Sequence, residues 1–239
     1  MRRFLGAVQF LTIVPVPGSI APSQAALFFP LVGAMLGLAG GGIRSAAAQV
    51  FPPSIAALLA LLFLIAVTGA LHEDGLADVF DAFRAGRTPE RILAILKDSR
   101  IGSYGALAIV MASLLRWQTI EVLGNRAIPA MSAAVGASRG AMVVLAYVSK
   151  PAGEGLGKAF CVGVTRSSTV TAALQGAALP FLCGPAGGVA ALAGNALAVV
   201  MARAYFHRRL GGVTGDCLGA VCQISEVLML LIFVCPLFF

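Results

Sequence analysis

The sequence predicts an all-α polytopic membrane helix bundle. It has about seven transmembrane helices, an N-terminal interfacial or re-entrant helix, and an active site on the cytoplasmic side. Three observations predict this. Of 239 residues, 59% are hydrophobic and 11% are charged, against about 25% charged in soluble domains, and the mean hydropathy is +0.94. Long stretches carry no charge, from Ser45 to Leu71 and again between Arg166 and Arg203. The 17 lysines and arginines outnumber 10 acids and gather in a few segments, which in a membrane chain marks cytoplasmic loops rather than nucleic-acid binding. The length suits a single integral-membrane domain, residues 1–239, with the lipid bilayer as a partner and no nucleic acid.

The elements follow in order. Arg2 and Arg3 precede an apolar stretch, Phe4 to Val14, that imitates a signal peptide. No small-residue cleavage site follows, and the stretch falls short of the roughly 20 residues a span needs. Pro15 and Pro17 stop it, so an interfacial or re-entrant helix is expected. Spans are expected near 27–49 and 54–71, separated by Phe51-Pro52-Pro53, then near 104–122 and 128–148. The 36 charge-free residues between Arg166 and Arg203 suit two more spans, turning at Cys183–Gly188. A last span is expected near 218–237. The five cysteines form no ligand spacing, so neither disulfides nor zinc are expected.

With the N-terminus in the cytoplasm, 13 of the 17 Lys and Arg fall on inner segments and only Arg44 and Arg126 on outer ones. That bias sets the orientation and brings three polar segments, 72–103, 149–168 and 203–217, to one face. The first opens with HEDGLADVFD, residues 72–81, which holds four of the ten acids. Asp74, Asp78 and Asp81 sit at i, i+4 and i+7, on one face of a helix, where like charges repel. A divalent ion relieves that repulsion. Magnesium favours one or two carboxylates with waters and phosphates, so these acids are candidate Mg²⁺ ligands. His72 is a candidate base. Glu73 points away from the aspartate face. Thr88-Pro89 reads as a helix start.

The second motif is KDSRIGSYG, residues 97–105. Lys97 and Arg100 can pair phosphates. Ser99 and Gly102 suit a backbone that closes on an anion, and Asp98 is a further candidate ligand. The third is LGGVTGDCLGA, residues 210–220, where Thr214, Gly215 and Asp216 can contact metal or a sugar hydroxyl. Arg139 and Glu226 fall inside spans and need partners, either each other or the polar site.

HEDGLADVFD, KDSRIGSYG, EGLGKAF at 154–160 and GGVTGD at 211–216, in this order, resemble the cobalamin synthase family, adenosylcobinamide-GDP ribazoletransferase. TIVPVP at 12–17 and SRG at 138–140 extend the resemblance over nearly the whole chain. Glu73 departs from the family pattern and carries no role from it. The resemblance implies the last assembly step of cobalamin biosynthesis in a bacterial inner membrane. There α-ribazole or its 5′-phosphate attacks adenosylcobinamide-GDP and GMP leaves, with Mg²⁺ required. It also implies the site: His72, Asp74, Asp78 and Asp81 as catalytic groups; Asp74, Asp78, Asp81, Asp98 and Asp216 on the metal; and Lys97, Ser99, Arg100, Gly102, Arg139, Thr214 and Gly215 on the substrates. Association with a second copy or with other cobalamin-pathway enzymes stays open. Asp74-Gly75-Leu76-Ala77-Asp78 echoes only the centre of the CDP-alcohol phosphotransferase motif, so a lipid head-group enzyme is the alternative. A transporter is a more distant one, since no repeat is evident.

Overall fold

The computed structural model describes residues 1–238. They form twelve α-helices, with no strand and one isolated bridge, Pro151 to Val213. Helix α1 is Arg2–Leu11. Helix α2, Pro22–Ala25, runs through one 3₁₀ turn into α3, Phe29–Ala47. Then come α4, Pro53–Thr68, α5, Leu71–Ala85, and α6, Pro89–Leu96. Helix α7, Ser103–Leu123, meets α8, Ala127–Val148, through a 3₁₀ turn at Gly124–Arg126. Helices α9, Leu156–Gly163, and α10, Arg166–Ala178, precede α11, Pro185–Leu210, and α12, Gly215–Val234.

Local chemistry sets many of these starts. Helices α2, α4, α6 and α11 carry proline in their first turn, where the missing N–H costs nothing. The Thr88 hydroxyl caps α6 by accepting from Arg91 N at 3.3 Å, as the sequence predicted. Thr165 and Ser168 form a reciprocal capping box on α10.

Four helical segments are long and apolar enough to cross a membrane: Pro22–Ala47, Ser103–Val148, Pro185–Leu210 and Gly215–Val234. Helices α4 and α5, bent by 87°, would together add another. The count of seven is not confirmed. Helix α10 has 13 residues, too few for a span. Helices α7 and α8, of 21 and 22 residues, are each long enough for a span, as expected near 104–122 and 128–148. They fold back on each other at Gly124 (φ +56°), so that Arg116 and Arg139 both reach Glu226. Helix α5 carries Glu73, Asp74, Asp78, Asp81 and Arg84 in 15 residues. Charge at that density is too costly for the bilayer centre, so α5 lies outside the spanning segments.

Helix α8 is the axis, buried along most of its length and packed on α3 and α12. The α3–α8 contact is made by small residues. Gly33, Gly37 and Gly41 recur every fourth position on α3. An added Cβ at each would meet the α8 backbone, at Gly136, at Met131 and Ser132, and at Ile128 respectively. Without a hydrophobic force between helices in lipid, such close backbone approach is what holds them together. Large apolar side chains such as Leu107, Val110 and Met111 on α7 and Leu197, Val200 and Met201 on α11 face outward, as a lipid-bathed surface requires.

Two substitutions on α3 separate these effects. At Gly37 a Cβ would overlap the Met131 carbonyl and lie 2.7 Å from Ser132 N, whereas at Gly42 nothing lies within 4 Å. Gly37→Ala is expected to cost about 1–3 kcal/mol. Gly42→Ala is expected to be neutral or to gain about 0.5–1 kcal/mol from helix propensity. Thermal unfolding of both variants in detergent reads the difference.

Candidate active site

The site begins at a corner. Gly69 and Ala70, with φ +61° and +56°, turn the chain from α4 into α5. Ala70 is the one non-glycine at positive φ among the described residues, a conformation that costs about 1–2 kcal/mol. The corner is held by Ala70 N donating to Ile65 O at 3.0 Å, and by Ile13 N donating to Val67 O at 2.9 Å. Helix α5 leaves it lying against α12, where Gly75 and Gly219 allow close approach. A Cβ on Gly75 would lie 3.0 Å from Asp216 O and 3.4 Å from Gly219 Cα. Aspartates 142 positions apart in sequence, Asp74 and Asp216, are thereby brought to one place.

That place is a cavity of about 340 Å³. Its polar wall includes His72, Asp74, Lys97, Thr214, Gly215 and Asp216. Its apolar wall includes Phe10, Leu93, Met142 and Phe160. The three polar segments predicted to share a face do meet. Val213 N donates to Lys150 O at 2.9 Å and Ala152 N to Val213 O at 2.8 Å. Arg209 at the end of α11 donates to Phe83 O and Gly86 O at 3.0 and 2.9 Å. Helix α1 and α8 also line the cavity, through Phe10 and Met142. Phe160 closes the EGLGKAF motif but was given no role, and nothing in the sequence motifs pointed to Phe10 or Met142, because aromatic and apolar side chains in a membrane chain carry no polar signal.

The acids divide into three groups. Asp74 and Asp216 line the cavity, Asp78 lies outside its lining but near enough to feel both charges, and no Lys or Arg forms an ion pair with the three among the described residues. Burial first, then the neighbouring carboxylates of Asp74, Asp216 and Asp81, push the Asp78 carboxyl up to about 6. Asp81 is committed elsewhere: its two oxygens accept from Gly102 N at 2.7 Å and Gly105 N at 2.9 Å. It therefore pins the positive N-terminal end of α7. Asp98 pairs with Arg100 at 2.6 Å on an exposed loop, and the hydrogen bonds from Arg100 bring its carboxyl down to about 2. Ser99 is exposed there too. Gly102 contributes its N–H to Asp81 rather than to the cavity.

His72 is 2% exposed on the cavity wall, with neither ring nitrogen hydrogen-bonded. Burial and the nearby Arg139 and Arg116 hold its pKa well below the ordinary value, so the imidazole is neutral. Arg139 lies behind the cavity wall in a buried ion network. It pairs with Glu226, as the sequence suggested. Arg116 of α7 joins Glu226 at 2.8 Å and Glu73 at 2.7 Å, and at 2% exposed it depends on those carboxylates for its charge to be tolerated. Gln223 Oε1 accepts from Arg116 at 3.2 Å. Two arginines and two glutamates thus balance, and tie α5, α7, α8 and α12 together. The signal for Arg116 was its position inside a span, where a charge needs a partner.

The fit to magnesium is a matter of donor chemistry. Among the described residues, no three His, Cys, Asp or Glu side chains converge to hold an ion by themselves. Asp74, Asp78 and Asp216 are clustered, acceptor-only when ionised, and uncompensated. Such a set suits an ion that takes one or two carboxylates and completes its shell with waters and substrate phosphates.

The profile of one protein family, described as cobalamin-5-phosphate synthase, matches residues 3–234. The chain belongs to the cobalamin-5-phosphate synthase family. Curated relatives agree along nearly the full length. A protein of Ralstonia nicotianae is 42% identical, over 94% of this chain and 91% of its own. One of Geotalea daltonii is 37% identical, over 97% and 96%, and one of Escherichia coli 34%, over 96% and 98%. Each is named adenosylcobinamide-GDP ribazoletransferase. No solved structure matches. For this member of the cobalamin-5-phosphate synthase family, His72 and Asp74, Lys97, Gly157 and Phe160, and Thr214, Gly215 and Asp216, one group from each of the four motifs, share the cavity wall.

Two outcomes follow. The folded-state pKa of Asp78, about 6, lies above the ordinary aspartate value of 3.8. Between those values the folded protein holds a proton the unfolded chain has lost, so this group's effect on stability worsens as pH rises. In chelator, Asp78→Asn is expected to raise the unfolding midpoint at pH 7.5 by about 2–4 °C, on the order of 1 kcal/mol after allowing for solvent screening. It is expected to do nothing at pH 4. Glu226→Leu, in contrast, strands Arg116 and Arg139 without their shared partner, and a loss of about 3–5 kcal/mol is expected, read as collapse of the monodisperse peak in size-exclusion chromatography.

Proposed function

We infer that the chain catalyses the last nucleotide-loop assembly step of cobalamin biosynthesis. The ribose 3′-hydroxyl of α-ribazole, or of its 5′-phosphate, attacks the β-phosphate of adenosylcobinamide-GDP. A new phosphodiester forms, the bond to GMP breaks, and the product is adenosylcobalamin or its 5′-phosphate. Family membership favours this over a lipid head-group transferase or a transporter. The observation that carries it is the convergence of Asp74, Lys97, Thr214 and Asp216 on one cavity from three separate segments.

Phosphoryl transfer is chiefly positioning and charge neutralisation. Lys97 offers a positive charge to the diphosphate at the cavity wall. Thr214, whose hydroxyl lies 3.2 Å from Asp216 Oδ2, and Asp216 orient the sugar. To His72, neutral and unpartnered on the cavity wall, we assign acceptance of the proton of the attacking hydroxyl. Asp74, Asp78 and Asp216 would hold Mg²⁺, which when bound neutralises charge on the phosphates. Asp81 and Asp98 act through the backbone and loop they fix. We further place the motif face in the cytoplasm and the chain in a bacterial inner membrane, on the bias of 13 Lys and Arg inside against two outside.

The test uses solubilised full-length protein with both substrates. GMP release is expected with magnesium, none after chelation, and recovery on adding magnesium back. Asp74→Asn should cut kcat on the order of 10³-fold while the protein still purifies from membranes. An Asp74→Asn variant that turns over at the wild-type rate would remove the carboxylate role. Activity indifferent to chelator would remove the metal.

A further inference from the structure

Three phenylalanines from distant parts of the chain stack beside the cavity. The rings of Phe10, Phe29 and Phe160 lie within 5–8° of parallel, with centroids 5.3 to 6.2 Å apart. They come from α1, α3 and α9. Phe29 is fully buried behind the other two, while Phe10 and Phe160 line the cavity. Near-parallel alignment of three rings is not needed to fill a core, where edge-to-face contacts serve as well. It does give the rings of Phe10 and Phe160, at the cavity edge, one shared orientation.

We propose that these rings are the seat for the planar base of the nucleoside acceptor, with Phe10 and Phe160 as its binding residues. The inference rests on the functional reading above and names which substrate enters the cavity. Three observations point to the acceptor. The cavity volume, about 340 Å³, suits a nucleoside, whereas a corrin ring with its side chains exceeds it. The wall beside the rings is aliphatic, with Leu93, Leu96 and Met142. Such a wall suits a benzimidazole edged with methyl groups, and would leave the polar edge of guanine without partners. The same cavity carries Thr214 and Asp216, so a base on the rings places its ribose toward hydroxyl-binding groups. Helix α1 thereby has a task beyond lying at the interface: it brings Phe10 to the substrate.

Aromatic stacking on a base is lost on truncation and retained by another ring. Phe160→Leu and Phe10→Leu keep apolar volume but remove the flat face. Each is expected to raise KM for α-ribazole about tenfold, with KM for adenosylcobinamide-GDP changed less than twofold. Phe160→Tyr is expected to keep the wild-type value. Titration calorimetry with α-ribazole alone should show the same loss, without turnover. Phe10 is only half-buried, so its variant tests the idea even if Phe160→Leu fails to fold. A rise in KM for the GDP-activated substrate instead, or no change in acceptor KM or affinity in either variant of an active enzyme, overturns the aromatic seat. Wild-type protein that binds no α-ribazole and releases no GMP removes the functional reading itself.

Discussion

The bundle is organised around charge that has nowhere else to go. Arg116, Arg139, Glu73 and Glu226 sit where water does not reach, and each is tolerable there only because the others are present. Because Glu73 belongs to α5, Arg116 to α7, Arg139 to α8 and Glu226 to α12, satisfying four charges fixes four helices. The consequence for chemistry is immediate. Glu73 is the neighbour of Asp74 along α5, so anchoring the one inward presents the other to the cavity. Helix α5 is amphipathic in charge: one side is neutralised inside the protein, and the other keeps its acids uncompensated.

Close packing does the rest of the positioning. Helix α8 accepts α3 at backbone distance, and α12 accepts α5 in the same way through Gly75 and Gly219. In both contacts a methyl group would be the difference between touching and not touching. The corner at Gly69 and Ala70 stores strain next to the acids, which the surrounding hydrogen bonds hold in place. Strain of this kind tends to collect where geometry is functional.

Much of this was legible in the sequence. The acid cluster, its helical face and the pairing of Arg139 with Glu226 could all be read, because charge in an apolar chain is conspicuous. The cap at Thr88 could be read because its chemistry is local. Span number was not legible. Hydropathy does not say that the run before α11 breaks after 13 helical residues. Nor does it say where a carboxylate's oxygens go. Asp81 looks like its neighbours Asp74 and Asp78 along the helix, yet it binds backbone 21 and 24 positions away. The cavity's aromatic wall was hidden for a related reason: Phe10, Phe29 and Phe160 meet only in three dimensions.

The Asp81 contacts to Gly102 and Gly105 have a bearing on how such chains can diverge. They staple the end of α5 to the start of α7, so the intervening excursion through α6 leaves and returns at one fixed point. Lengthening a loop whose ends are already joined changes its entropy only slowly. Insertions and deletions between Gly86 and Ile101 should therefore be absorbed outside the staple. Descendants of this sequence can vary the shape of that flap, and with it the fit to different cargo, while the carboxylates stay in register.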